Sequence, residues 1–347
     1  MNTKALRGKR VCIGLSGGVD SAVSAKLLMD MGAEVLGVFI QGWYPEGQPC
    51  SWREDRRDAM RVAAHLGIPF YTLDASHEYK KGVIDYLLRE YKAGRTPNPD
   101  VMCNREVKFG AFYRFATSHG ADYIATGHYA TTARDSGVLA QGSDPTKDQS
   151  YFLWAVPTEV LAKTIFPLGA MEKSAVRALA KKFALPVSEK KDSQGICFLG
   201  SISVEEFLMQ EIHPEEGVAL STSGAVVGTH AGSVLYTLGE RVALTGALPG
   251  PWFVIAKDLA KNTITVSNTV HTSPLVGAIT LSEENFFLTP TDTMQLKAQY
   301  RYHGPTITGH YKDHVFTPSV AHMGAIAPGQ SLVLYQGTTC VGGGIIE

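Results

Sequence analysis

Residues 11–24 read VCIGLSGGVDSAVS. An apolar run, Val11, Cys12, Ile13 and Leu15, ends in Ser16-Gly17-Gly18-Val19-Asp20-Ser21. Small and apolar residues at helical spacing then follow as far as Met31. The pattern predicts a buried strand, a glycine turn and a helix. Paired glycines let the backbone turn sharply and leave no Cβ in the way of an anion. The free N–H groups and dipole at the start of the next helix favour the same guest. The turn is neither a G-x-x-x-x-G-K-[ST] loop nor a G-x-G-x-x-G turn. Two glycines alone leave two roles open, a phosphate-binding turn or a strand–helix turn that holds nothing.

Working outward, strand and helix patterns alternate from 10 to 126. Val35–Ile40, Phe70–Leu73 and Tyr123–Thr126 read as strands, and residues 52–66, 79–92 and 109–117 as helices. Repeated βα units predict a parallel sheet covered on both faces, with ligands at the carboxyl ends of its strands. A hairpin at 129–139 and a helix at 171–183 follow. Ser203 and Glu206 form a capping-box pattern ahead of Phe207 and Leu208, in a helix that stops before Pro214. Beyond about 215, short β-rich runs broken by glycine, asparagine and proline (226–229, 252–256, 263–266, 295–300, 331–335) predict small β domains.

The chain has 347 residues, too many for one small domain. No apolar run approaches the roughly 18 residues of a membrane span, and the basic N-terminus lacks a signal peptide's apolar core. A cytoplasmic location is expected. Five cysteines do not make a disulfide framework. A net charge of −1 excludes indiscriminate nucleic-acid binding, so any RNA contact must rest on local patches.

Two cysteines stand in loops that could carry chemistry. In GRTPNPDVMCNREVKF (94–109), prolines cannot sit inside a helix or central strand, which predicts a stiff, exposed loop. Cys103 follows Asp100 by three positions, with Arg105 and Lys108 just beyond, where a helix is expected to begin. A cysteine at a helix N-terminus beside cations is a candidate thiolate nucleophile; a half-buried structural cysteine is the alternative. In KKDSQGICFLG (190–200), Cys197 follows a glycine turn near Lys182, Lys190 and Lys191. Neither cysteine has a C-x-x-C partner or a histidine at ligand spacing, so sulfur transfer suits the pair better than a metal. Cys12 and Cys340 fall in apolar strands and read as core. Cys50, between Trp43 and Trp52, is left with either role.

The full string SGGVDS resembles the pyrophosphate loop of N-type ATP pyrophosphatases, which adenylate a carbonyl oxygen and let a nucleophile displace AMP. Over nearly its whole length the chain is similar to the bacterial tRNA-specific 2-thiouridylases. The resemblance rests on GLSGGVDS (14–21), AGRTPNPDVMCNREVKF (93–109), ATGHYA (125–130), KDQSYFL (147–153), KKDSQGICF (190–198), YTLGER (236–241), PGQSLVLY and CVGGGII. It implies an α/β fold with a parallel-sheet, adenine-nucleotide alpha-hydrolase-like (PP-loop) domain over 1–210. A small central domain over 211–274 and a C-terminal β-barrel over 275–347 would follow.

The implied activity is ATP-dependent 2-thiolation of the wobble uridine. Gly14, Leu15, Ser16, Gly17, Gly18, Val19, Asp20 and Ser21 would bind ATP phosphates, Asp20 would assist Mg²⁺, and Ile40 and Gly127 would border the adenosine. Cys197 would accept a persulfide from a sulfur-donor protein, Cys103 would cleave it or close a disulfide with Cys197, and Asp100 would act as acid/base. Asn98, Pro99 and Asp100 would touch the base. His128, Lys147, Asp148, Gln149, Arg301, Tyr302 and Gln330 would contact tRNA, with lysine, glutamate and glutamine acceptors as substrates. The protein would act as a monomer and touch no membrane. After YTLGER the chain reads VALTGALPG where the family carries basic residues, which removes charge from the central domain. The competing functions are an amide-forming adenylating ligase and a non-catalytic nucleotide-binding module.

Overall fold

The computed structural model describes residues 6–45, 52–133, 135–191, 202–246, 250–269, 274–275, 277–320, 322–323 and 325–347. Cys50 and Cys197 lie outside the described residues. The opening motif forms β1 (Arg10–Gly14) and helix α1 (Val19–Asp30). Then come β2 (Glu34–Gln41), α2 (Trp52–Leu66), β3 (Phe70–Asp74), β4 (Tyr123–Ala125), the hairpin β5 (Ala130–Ala133) and β6 (Val138–Gln141), and β7 (Thr164–Ile165). Five of these strands make a parallel sheet in the order β3-β2-β1-β4-β7. β1 is apolar on both faces because helices cover both. Its Cys12 is fully buried, and burial pushes the thiol up to about 11, which makes it core rather than nucleophile. The chain leaves β1 toward β2 on one side and returns at β4 on the other, so the strand order reverses at the C-terminal ends of β1 and β4. Ligand crevices open at such a point.

The expected loop at 94–109 is mostly helix. Residues Pro99–Met102 are α-helical, Cys103–Ala111 widen to π-type hydrogen bonding, and Phe112–Ser118 return to α. Proline is barred from a helix interior but suits the first helical position, where its missing N–H has no partner to lose. Asn98 caps the start, its side-chain oxygen accepting from the N–H groups of Asp100 and Val101. The segment is not exposed either: Thr96, Val101, Met102, Cys103 and Asn104 are all buried.

A second sheet of five strands spans Gly217–Leu220, Val226–His230, Arg241–Val242, Trp252–Asp258 and Thr263–Ser267. The capping box at Ser203 and Glu206 is formed as its spacing predicts. The C-terminal strands Ile279–Phe286, Val315–Pro318, Thr306–Lys312, Leu296–Gln299, Ser331–Gln336 and Thr339–Ile346 close into a six-stranded barrel, the first pairing with the last. Leu281, Leu296, Ala298, Phe316, Leu332 and Leu334 are among the side chains that fill it. The hairpin β5–β6 forms as expected but does not stay with its own sheet. Ala140 pairs with Thr339, so the parallel-sheet unit and the barrel share one eight-stranded sheet. Asn285 reinforces the joint, donating to the buried carbonyls of Trp154 (2.6 Å) and Val156 (3.0 Å).

Candidate active site

At the reversal point Gly17 takes φ +77°, and a Cβ there would run into the Asp55 carbonyl of α2. Glycine is therefore required by both conformation and space. The two serines pin the turn: Ser16 N–H donates to Ser21 Oγ (3.2 Å), Gly18 N–H donates to Ser16 Oγ (3.3 Å), and Ser21 Oγ–H donates to the Gly18 carbonyl (3.2 Å). Leu15 and Val19 point into the core, whereas Ser16 is exposed at the mouth. The first N–H groups of α1 have no intrahelical partner and face the same opening. Gly127, just after β4, packs so closely on α1 that a Cβ would lie 2.9 Å from Ser21 N. Ile40, one residue before the end of β2, lies alongside Gly14 and is 9% exposed. Thus the glycine turn, Ile40 and Gly127 lie together at the carboxyl ends of β1, β2 and β4.

Asp20 has a partner that the sequence did not single out. Lys173 Nζ lies 2.7 and 2.8 Å from its two oxygens, and Tyr129 Oη–H donates to it at 3.0 Å. Lys173 stands in the first turn of the helix Lys173–Lys182, where the helix dipole disfavours a cation. That misplaced charge is the signal from which its role was readable. Asp144 offsets it by accepting from the Lys173 backbone N–H (3.0 Å), and that bond holds the Asp144 carboxyl below its usual range. In the ligand-free chain the Lys173 ammonium occupies both Asp20 oxygens, so a magnesium ion taking Asp20 would have to displace it. Among the described residues no group of three His, Cys, Asp or Glu side chains could hold a metal ion.

The Cys103 turn is clasped by segments next to both other sheets. Gln330 Nε2–H donates to the Thr96 carbonyl (2.7 Å), Thr96 N–H to the Pro328 carbonyl (2.8 Å), and Thr96 Oγ1–H to Thr237 Oγ1 (3.1 Å). Cys103 is 1% exposed and sits one turn past the helix start, so the helix N-terminus does not act on its thiol directly. Arg105, expected beside it as an activating cation, is bound by Glu106 (2.7 Å) and by Glu283 of the barrel (3.0 Å). Asn98, Pro99 and Asp100 are half-buried on the same turn. Two oxygens there, Asp100 Oδ1 and Asn104 Oδ1, are buried without a donor.

His128 joins the two regions. It follows Gly127, its ring lies between Phe109 and Phe166, and its Nδ1 meets Thr126 Oγ1 at 2.7 Å. Burial, with Lys108 nearby, holds it well below the usual histidine range, so it is neutral. The KDQ string divides by burial. Asp148 turns inward and accepts from Gly142 N–H, Ser150 N–H, Ser150 Oγ–H and Gln141 Nε2–H, and Gln149 accepts from Tyr129 N–H. Lys147 is half-exposed. Arg301 donates to the Leu238 and Ala325 carbonyls. Tyr302 is 37% exposed, stacks on His303 at 4.0 Å and leans on Phe152 at 4.4 Å. It edges a cavity of about 450 Å³ lined also by Asp148, Tyr151, Gln299 and Tyr335. Lys190 holds Asp55 and Asp58 of α2, beside the glycine turn that Asp55 packs against.

Three family models match in series: the tRNA methyl transferase HUP domain over residues 9–201, the tRNA methyl transferase PRC-barrel domain over 205–268, and the aminomethyltransferase beta-barrel domain over 276–346. Two curated relatives carry the name tRNA-specific 2-thiouridylase MnmA. That of Pseudomonas entomophila (strain L48) is 43% identical over 97% of this chain and 94% of its own length. That of Listeria monocytogenes serovar 1/2a is 42% identical over the same shares.

Proposed function

The chain belongs to the tRNA-specific 2-thiouridylase family, and on that premise we propose that it exchanges the C2 oxygen of the wobble uridine of tRNA for sulfur, with ATP as the activating reagent. The observation that carries this is the SGGVDS turn at the strand-order reversal, joined through Gly127, His128 and Phe109 to the helix of Cys103. The three segments 1–210, 211–274 and 275–347 divide the work: activation, support and RNA docking.

In the first step the uracil O2 attacks the α-phosphorus of ATP, the Pα–O bond to the β-phosphate breaks, and pyrophosphate leaves into the turn. Ser16, Ser21 and the α1 N–H groups receive the charge. A poor leaving group has become AMP. Cys197, loaded as a persulfide by a donor protein, attacks C2 with its terminal sulfur, and AMP departs with the old oxygen. Cys103 thiolate then attacks Cys197 Sγ. A Cys103–Cys197 disulfide forms, and the bridging S–S electron pair stays on the new C2 thiocarbonyl. Asp100 handles the proton beside the base. A cellular thiol reduces the disulfide for the next cycle. The wobble base is turned out of the anticodon stack to reach this site, which costs least for an unpaired loop nucleotide.

Of the residues expected at the RNA, Lys147, Arg301 and Tyr302 supply charge and a stacking face. His128, Asp148, Gln149 and Gln330 shape the surface from beneath. The acceptors are the lysine, glutamate and glutamine tRNAs, and the enzyme works as a cytoplasmic monomer. Among the described residues no helix is long and apolar enough to cross a membrane.

The test is a thiolation assay with ATP, Mg²⁺, a persulfide donor and unmodified tRNA, read by mass spectrometry of the digested RNA. Wild type should yield a wobble nucleoside heavier by one sulfur-for-oxygen exchange. Cys103→Ser and Cys197→Ser should not with the persulfide donor, whereas sulfide, which attacks C2 directly and leaves no S–S bond to cleave, should restore sulfur insertion in both. Release of pyrophosphate without sulfur in the RNA would point instead to an amide-forming adenylating ligase.

A further inference from the structure

The Asn104 amide has a fixed orientation. Its Nδ2 lies 3.0 Å from the Phe152 carbonyl oxygen, which can only accept, so the nitrogen faces that carbonyl and Oδ1 faces away. Oδ1 is buried, in a side chain 2% exposed, and meets no donor. One turn earlier Asp100 Oδ1 is in the same condition. Residues four apart share a helix face, and Cys103 is the immediate neighbour of Asn104. A buried amide oxygen without a donor is disfavoured unless a guest supplies the missing N–H. The acceptor therefore lies in the same turn as the reacting cysteine, with its oxygen still lacking a donor. Phe152 ties this to the surface, holding Asn104 with its carbonyl and Tyr302 with its ring.

We propose that Asn104 Oδ1 accepts the N3–H of the target uracil and so selects uridine over cytidine. Uracil presents a ring N–H between two carbonyls. Cytosine presents a bare ring nitrogen there, and its lone pair would oppose Oδ1. A site built around a buried acceptor rejects a base that lacks the donor. Asn104 acts on recognition and stands apart from the proton and sulfur transfers given to Asp100, Cys103 and Cys197. The inference rests on the thiouridylase reading for the identity of the base.

The experiment measures binding of anticodon stem-loops carrying uridine, cytidine or 3-deazauridine at the wobble position. In 3-deazauridine a C–H replaces the N3–H with little change of size while O4 becomes a hydroxyl, so the change that Asn104→Ala makes in the ratio is what isolates the N3 contact. Full-length wild type and Asn104→Ala are compared, with thermal melts to confirm folding and thiolation of the uridine stem-loop measured alongside. Wild type should prefer uridine to 3-deazauridine about 10- to 100-fold. In Asn104→Ala the ratio should shrink to within about threefold. Equal binding of the two RNAs by wild type, which requires no variant to fold, would overturn the inference. So would a ratio unchanged in Asn104→Ala. Discrimination by wild type without sulfur in the uridine RNA would keep the recognition and refute the thiolation reading.

Discussion

Replacing Lys173 by methionine keeps the body of the side chain and removes its charge. The Lys173 and Asp20 side chains are 14% and 31% exposed, between the surface and the interior. Breaking a fully buried pair from one side costs about 3–5 kcal/mol, and an exposed pair contributes about 0–1 kcal/mol. Asp20 also keeps the Tyr129 hydroxyl. Lys173→Met should therefore destabilise the ligand-free protein by about 2 kcal/mol, a fall of about 3 °C in melting midpoint for a chain of 347 residues. Adding Asp20→Asn removes the stranded carboxylate, so the double variant should recover about 1 kcal/mol. Scanning fluorimetry of wild type and the two variants reads this directly. ATP affinity should fall about tenfold in Lys173→Met, because phosphates would then meet an uncompensated Asp20. An unchanged midpoint together with unchanged ATP binding would refute the reasoning, as would a double variant no better than Lys173→Met.

His128 is buried and neutral, while in the unfolded chain it takes a proton near its ordinary pKa. The stability it contributes is present above about pH 6.5 and is lost as pH falls, by about 1.4 kcal/mol per pH unit. Urea unfolding at several pH values should show this slope in wild type and a shallower one in His128→Gln; equal slopes would sink the assignment. Asn285→Ala strands the buried carbonyls of Trp154 and Val156 and should cost about 2–4 kcal/mol. It should also speed proteolysis between barrel and parallel sheet, and a loss below about 0.5 kcal/mol would show the joint to be held elsewhere.

Local signals carried most of the fold. The apolar run of β1 with its double glycine, the Ser203–Glu206 box and the 129–139 hairpin each encode a short-range interaction, and each formed as expected. The helix at Pro99 was missed because proline reads as a breaker unless the Asn98 cap before it is weighed. Long-range pairings leave no mark in a periodicity. Nothing in the sequence near Arg105 points to Glu283, and nothing in KDQ separates the inward Asp148 from the half-exposed Lys147. Asn104 escaped notice for a related reason: its meaning lies in a missing partner, visible only once every neighbour is in place.

The hairpin β5–β6 makes the barrel a continuation of the scaffold that carries the glycine turn, rather than a bead on a tether. On the function proposed above, an RNA gripped by the barrel would be held at a set offset from the glycine turn, as on a caliper whose jaws are cut from one piece. Selection among anticodon loops would then become a matter of length and curvature as well as sequence. A loop shortened or lengthened by one nucleotide would present its base beside the opening instead of within it.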